Sequence, residues 1–181
     1  MSYITTVSGK HFDPIAPQEE LLDINDIAHS LAMVCRANGH MRIFYSVAQH
    51  SYSCAQEAEA RGLSREIILG CLLHDASEAY LSDVIRPVKK ELPFYLEVEE
   101  KLQDMIWTHF IGRELSEGEK QIIFEIDDEM LEMEFHQLMP EEIGDSWKKL
   151  KRQLVCGYRA AEMVIKDFIR LFKKYALTNK T

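Results

Sequence analysis

The sequence of 181 residues lacks several features that would place it in a large functional class. No apolar stretch approaches the roughly 18 residues that a membrane span requires. None of the four cysteines forms a CxxC pair, so neither a zinc knuckle nor a disulfide framework is indicated. Basic residues do not predominate, because the formal net charge is -9. That charge excludes a bulk attraction for a nucleic-acid polymer or an anionic membrane.

Segments that would divide the chain are missing as well. We find no internal repeat, no low-complexity segment and no linker, and the first residues lack the basic region and apolar run of a signal peptide. Hydrophobic residues make up 46% and charged residues 28%, which is an ordinary globular balance. We therefore expect a single domain over residues 1–181 in a cytoplasmic protein, with Cys54 and Cys71 as reduced core residues.

What the sequence does contain is a succession of helical patterns after a short extended pair at residues 3–12. The capping and stop signals predict six helices. Their expected ranges are about 24–38, 47–60, 65–73, 93–111, 117–139 and 145–175. The fold class is predicted to be all-α, a bundle of about six main helices with a minor extended N-terminal piece. The residues with chemical signals fall in a core at about 25–140.

The strongest chemical signal is the adjacent pair His74-Asp75. It follows an apolar run at 67–73 that is typical of a helix buried at the centre of a fold. A charged group there is costly unless it is paired or bound to a metal. The dipeptide taken alone is more often a helix-end cap with a surface contact. Other residues of the sequence must therefore provide the context that distinguishes a metal site from such a cap.

That context is provided by His50 on an earlier helix and Asp127 on a later one. Two imidazoles and two carboxylates from three helices could converge on one divalent cation. Such mixed nitrogen and oxygen ligation suits Mn²⁺, Co²⁺, Fe²⁺, Zn²⁺ or Mg²⁺ without choosing among them. Four protein ligands leave open positions for water and a phosphate oxygen on a six-coordinate ion, an arrangement suited to hydrolysis.

The order His50, His74-Asp75, Asp127 resembles the H…HD…D pattern of the HD-domain superfamily of metal-dependent phosphohydrolases. Residues 45–51 (YSVAQHS) and 73–84 (LHDASEAYLSDV) are similar to the branch that includes the bacterial HD-domain 5′-deoxynucleotidases. They are more similar still to a group of uncharacterised bacterial and phage HD proteins, whose N-terminal piece is matched by residues 27–29 and 36–40. The resemblance covers about residues 3–140 and implies a helical HD domain with one divalent metal ion.

The fourth ligand is a choice between Asp127 and its neighbour Asp128. The branch pattern sets an acidic residue seven positions after the ligand, followed by Leu-Met. Asp127 with Glu134 fits that register, whereas Asp128 would put Phe135 at the acidic position. We therefore assign the metal ligands as His50, His74, Asp75 and Asp127, and expect Asp128 to be a solvated charge.

Two further carboxylates follow the His-Asp pair. Glu78 comes one helical turn after His74 and could face the same pocket, or could simply bind a neighbouring backbone group or arginine. In the deoxynucleotidases the carboxylates at the motif positions of Glu78 and Asp83 are catalytic. The resemblance thus implies that both assist proton transfer.

A phosphorylated substrate also needs cationic side chains, because two carboxylates already cancel the metal charge. In the deoxynucleotidases an arginine in a place comparable to that of Arg36 contacts the substrate, although the local spacing differs. Arg86 and Lys89, beside Pro87, are the other candidates for a phosphate contact, with a solvated loop charge as the alternative.

The predicted function is that of a phosphomonoesterase acting on nucleoside 5′-monophosphates or similar small phosphate esters. Two alternatives stay open, namely cleavage of a phosphodiester or pyrophosphate, and a non-catalytic module that keeps the metal and binds a nucleotide. A homodimer is also a possibility, because the apolar positions of the last helix could form an interface or pack on the core.

Overall fold

The computed structural model describes residues 3–152 and 154–176. Helix accounts for 62% of the structure and the sheet is a tiny two-stranded one, so the all-α prediction is confirmed. The helices of the described ranges are α1 (Ile24–Met33), α2 (Val47–Ala60), α3 (Arg65–Leu73), α4 (Glu78–Leu81), α5 (Arg86–Lys89), α6 (Pro93–Ile111), α7 (Glu117–Leu138) and α8 (Ala161–Tyr175). Because α4 and α5 are single turns, six main helices remain over this part of the chain, as predicted.

The short extended pair expected at the N-terminus is present. Strands β1 (Ile4–Thr5) and β2 (His11–Phe12) run antiparallel, with Ile4 opposite Phe12. The connecting turn uses Gly9 at a φ of 86°, a left-handed conformation that glycine adopts without steric cost. The Phe12 side chain is fully buried and attaches the hairpin to the helical core.

Capping signals in the sequence fix where three of the helices begin. Ser46 and Ser116 each form a capping box with the residue three positions later, at the starts of α2 and α7. The Ser64 hydroxyl accepts from the backbone N–H of Ile67 at the start of α3. Each cap satisfies backbone donors that the first helical turn leaves free, so these starts follow from local sequence.

Helix α3 lies at the centre of the fold, as its apolar run predicts. Every residue from Ile67 to Leu73 is buried, and the helix contacts α2, α6, α7 and α8. The charged pair His74-Asp75 follows directly at the end of this buried helix. It therefore lies close to α2 and α7.

The first helix ends earlier than expected, at Met33 rather than near Asn38. Residues 34–36 leave the helix to pair with residues 45–47: the Val47 N–H donates to the Val34 carbonyl, and the Arg36 N–H donates to the Tyr45 carbonyl. A 3-10 helix, Arg36–Gly39, follows. These hydrogen bonds between two backbone segments replace helical ones, and they turn Arg36 towards the interior.

The prediction of one long final helix from about residue 145 is wrong. The structure has a 3-10 helix, Ser146–Lys149, then non-helical residues at 150–152 and 154–160, and α8 begins only at Ala161. Over these residues the backbone is bound by side chains of α2 and α7, whose carboxylate and amide groups replace the i→i−4 hydrogen bonds of a helix. The bonds run from Lys151 N and Arg152 N to Glu57, from Gln49 Nε2 to the Gly157 carbonyl, and between Gln137 and the backbone of Leu154 and Cys156.

The apolar face of α8 packs on the core. Val164, Phe168, Leu171 and Phe172 are buried, and the helix contacts α1, α2 and α3. Of the two roles left open for this face, the structure shows core packing. Among the described helices, none has the length and apolar character needed to cross a membrane.

Candidate metal centre

Side chains from α2, from the end of α3 and from α7 converge on one point. His50 Nε2 lies 3.2 Å from His74 Nε2 and 2.8 Å from Asp127 Oδ1. His74 Nε2 is 3.2 Å from Asp75 Oδ2 and 3.5 Å from Asp127 Oδ1. The structure thus brings together all four residues predicted as metal ligands.

Asp128, the alternative to Asp127, lies outside this group. Its side chain is 59% exposed, against 16% for Asp127. The two residues are adjacent on α7, so the helix directs one carboxylate inward and the other to solvent. The geometry agrees with the register argument for Asp127.

Both imidazoles are held in the tautomer that suits metal binding. His50 Nδ1 donates to Glu134 Oε1 at 2.8 Å, and His74 Nδ1 donates to the Cys71 carbonyl at 2.8 Å. Because a carboxylate and a carbonyl can only accept, each Nδ1 must carry the proton. In the neutral rings each Nε2 atom then keeps a lone pair, and the two atoms, 3.2 Å apart, can accept a metal ion or a proton.

The charges of the neighbouring side chains also favour a cation at this point. Burial lowers the pKa of His74, but the carboxylates of Asp75 and Asp127 outweigh it and raise that pKa well above its usual value. Burial raises the pKa of Asp127, but the two imidazoles outweigh it and bring that pKa well below its usual value. Two ionised carboxylates beside two nitrogen donors neutralise a divalent cation.

Glu134, on α7, was used only to set the register and has a structural role that the sequence did not reveal. Its side chain is fully buried. One oxygen accepts from His50, and the other lies 3.2 Å from Arg36 Nε. Arg36 in turn reaches Asp75 Oδ2 through Nη1 at 3.3 Å. A buried chain of alternating charges therefore connects His50 to Asp75.

Cys54, expected as a core residue, is buried and also borders the centre. His50, Cys54, His74 and Asp127 each place one ligand atom within 4.8 Å of the others, so this buried group could hold a metal ion. The sulfur is 3.6 Å from His50 Nε2 and 4.0 Å from His50 Nδ1. These similar distances place it beside the ring rather than on the Nε2 lone-pair axis. Burial raises the pKa of the Cys54 thiol well above its usual value.

A cavity of about 960 Å³ opens onto the centre. Glu78 and Asp83 both line it, together with His74, Asp75 and Asp127. Burial, with the nearby Asp75 and Asp83 charges, raises the pKa of Glu78 well above its usual value. Burial likewise raises the pKa of Asp83. The wall of the cavity thus carries carboxyl groups that hold their protons more tightly than usual.

The three predicted substrate-binding cations line the same cavity, and each contacts a carboxylate. Arg36 is nearly enclosed and bound to Asp75 and Glu134, as described above. Arg86 contacts Asp127 Oδ2 at 3.1 Å and Asp128 Oδ1 at 2.7 Å, and its side chain is 63% exposed. It lies on the single-turn helix α5, where a loop was expected.

Lys89, one turn after Arg86, is held in the same manner. Its Nζ lies 2.7 Å from Glu99 Oε1 and 3.8 Å from Glu78 Oε1. Its ammonium group therefore connects a candidate proton-transfer residue with α6.

Comparison with known proteins finds relatives without a stated activity. No protein-family model matches the chain. YfdR, an uncharacterised protein of Escherichia coli, is 44% identical over 106 residues, which is 59% of this chain and 57% of YfdR. An uncharacterised protein of Rhodobacter capsulatus is 38% identical over 110 residues, 58% of this chain and 56% of that protein. The chain therefore spans little more than half the length of these curated relatives.

Proposed function

We propose that the chain belongs to the HD-domain superfamily and is a metal-dependent phosphohydrolase. The proposed reaction is phosphomonoester hydrolysis of nucleoside 5′-monophosphates or similar small phosphate esters, as in a 5′-nucleotidase. The observation that carries this proposal is the facing pair of His50 and His74 Nε2 atoms beside Asp127, which lines a large cavity.

The proposed ligands are His50, His74, Asp75 and Asp127. Asp75 is preferred to Cys54 because its oxygen lies within 3.9 Å of both Nε2 atoms, whereas the sulfur flanks a ring. A divalent ion bound there would supply a Lewis acid that acidifies water and polarises a phosphate ester. The donor set of two imidazoles and two carboxylates suits Mn²⁺, Co²⁺, Fe²⁺, Zn²⁺ or Mg²⁺.

Glu78 is proposed to move the proton to the departing alcohol. A carboxylic acid can donate only while protonated, and burial keeps the pKa of Glu78 raised. Lys89, 3.8 Å away, would steady the carboxylate that remains after the transfer. Asp83 is proposed to assist from the same wall.

Arg86 and Lys89 are proposed to bind the phosphate. Both reach the cavity from α5, and their present carboxylate partners include Asp128 and Glu99. An incoming phosphate dianion could take the place of those two carboxylates. Arg36 is instead enclosed between Asp75 and Glu134, and its main proposed role is to orient them.

The test is phosphate release from a panel of nucleoside monophosphates and small aliphatic phosphates. Metal-stripped protein would receive Mn²⁺, Co²⁺, Fe²⁺, Zn²⁺ or Mg²⁺ in separate reactions. We expect release that depends on the metal and is abolished by Asp127→Asn. The matched control is Asp128→Asn, which changes the adjacent exposed carboxylate and should leave release nearly intact.

Failure to release phosphate with any metal would overturn the monoesterase proposal if calorimetry still shows tight metal binding. The same preparations would then be assayed with phosphodiesters and pyrophosphates. Equal loss in Asp127→Asn and Asp128→Asn would contradict the ligand assignment.

A further inference from the structure

The cavity extends well beyond the candidate metal centre, between α6 and α7. Trp107 and Leu96 line it from α6, and Phe124 and Leu131 line it from α7. Its volume of about 960 Å³ lies near the upper end of the roughly 300–1,000 Å³ of pockets that enclose whole small molecules. It has room for a sizeable organic group in addition to a phosphate.

A contact across the two helices contributes to the wall of this space. Lys120 Nζ, on α7, lies 2.8 Å from Asp104 Oδ1, on α6. The same ammonium group stands 5.8 Å from the centre of the Trp107 ring. The α7 residues that line the cavity include Lys120, in this ion pair, then Asp127 and, beyond it, Phe135, so the candidate metal centre lies along the cavity.

Phe124 is an aromatic residue of the cavity wall that the core does not enclose. Its side chain is 49% exposed although it lines the cavity. The ring is 6.4 Å from that of Trp107 and inclined to it by 59°, a geometry in the range of aromatic pairs. An exposed ring beside a buried one offers a stacking surface to a flat ligand.

The charges in this part of the cavity are mainly negative. Glu99, Glu100, Asp104 and Glu117 line it, against Lys120 and, towards the metal centre, Lys89. A second anionic group on the ligand would meet like charge there. The phosphate is thus directed towards the metal centre and its cations, and an uncharged group towards the helices.

We propose that the space between α6 and α7 binds the organic group of the substrate, which is flat and free of negative charge, and that Phe124 sets specificity by stacking on it. This inference rests on the proposed function, because it places the phosphate at the metal centre. It deepens that function by excluding esters with a second anionic group, such as bisphosphates.

The experiment measures binding of a nucleoside without phosphate to the metal-free protein, so it does not depend on hydrolysis. Trp147→Phe leaves Trp107 as the single tryptophan, and its fluorescence reports occupation of the cavity. Uridine and orotidine are the probes, because orotidine adds only a carboxylate to the same ring. We expect saturable quenching by uridine and binding of orotidine that is weaker by about tenfold.

Phe124→Ala in the same background should weaken uridine binding by about tenfold, since base–aromatic stacking contributes on that scale. Phe94→Ala is the matched control, because Phe94 on α6 is 63% exposed and lies outside the cavity. It should bind uridine like the parent protein.

Three results would overturn the proposal: no saturable quenching by uridine, equal binding of orotidine and uridine, or unchanged binding in Phe124→Ala. Failure of the proposed function has a different signature. In that case uridine still binds and Phe124→Ala still weakens it, while no metal supports phosphate release.

Discussion

The α2 side and the α3 side of the candidate metal centre hold their histidines in different ways. His74 donates to the backbone carbonyl of Cys71, three residues earlier, at 2.8 Å. His50 donates to the side chain of Glu134, 84 residues later, also at 2.8 Å. The first contact is made by the main chain and survives any side-chain replacement, whereas the second depends on a single buried carboxylate. The α2 side should therefore be the vulnerable one.

The largest expected effect comes from removing that carboxylate. Glu134→Leu leaves Arg36 in the interior without its closest partner and His50 without an acceptor. Breaking one side of a buried ion pair costs about 3–5 kcal/mol. We expect the free energy of unfolding, measured by urea denaturation of metal-free protein, to fall by this amount.

The control is the double variant Arg36→Met/Glu134→Leu, which removes both charges. It should recover much of the lost stability, because an apolar pair of similar volume often replaces a buried ion pair at little cost. A double variant as unstable as the sum of the two single changes would contradict the pairing.

A more conservative substitution at Glu134, compared with one at Cys71, tests the two sides of the centre separately. Glu134→Gln keeps an acceptor for His50 but loses the charge, and we expect metal affinity to fall about 10- to 100-fold, as for other residues that orient metal ligands. Cys71→Ala leaves the carbonyl that holds His74 and should not change the affinity. Calorimetric titration with Mn²⁺ would measure both, and equal weakening would refute the contrast.

The α3 side leads to α4 and a buried carboxyl group of its own, Glu78. Burial raises its pKa above the ordinary 4.5. Ionisation of Glu78 therefore lowers the free energy of unfolding as pH rises from that value through the raised pKa. Glu78→Gln removes this cost. We expect the variant to be more stable than the parent at pH 8 but no more stable at pH 4. Urea denaturation of metal-free protein at both values would measure it, and a pH-independent difference would contradict the burial argument.

The smallest effect is expected at the helix starts. Ser46 and Ser116 form equivalent capping boxes on α2 and α7, and replacing either by Ala should lower the free energy of unfolding by about 1 kcal/mol. Neither change should alter metal affinity, because the caps lie away from the ligand atoms. A loss of Mn²⁺ affinity in Ser46→Ala alone would show that metal binding on the α2 side depends even on the first turn of that helix.

Some elements of the site were predictable because their signals are local. His74-Asp75 follows an apolar helix, and such a run is buried in nearly any helical packing. Asp127 was distinguished from Asp128 by the resemblance and its register, and the helix geometry agrees. Arg36, which was predicted to contact substrate, lines the cavity and also contacts Asp75 and Glu134, because its segment pairs with residues 45–47.

The sequence alone determined the helical class and the starts of α2, α3 and α7, since apolar periodicity and caps depend on near neighbours. The four candidate ligands were predicted from the resemblance and its motif spacing. Only the tertiary structure decided the partner of His50, the position of Cys54 and the late start of α8. Each of these rests on contacts between side chains and distant groups, such as Glu57 with the backbone N–H of Lys151, 94 residues away. Local patterns carry no information about such pairings, because packing of the whole chain creates them.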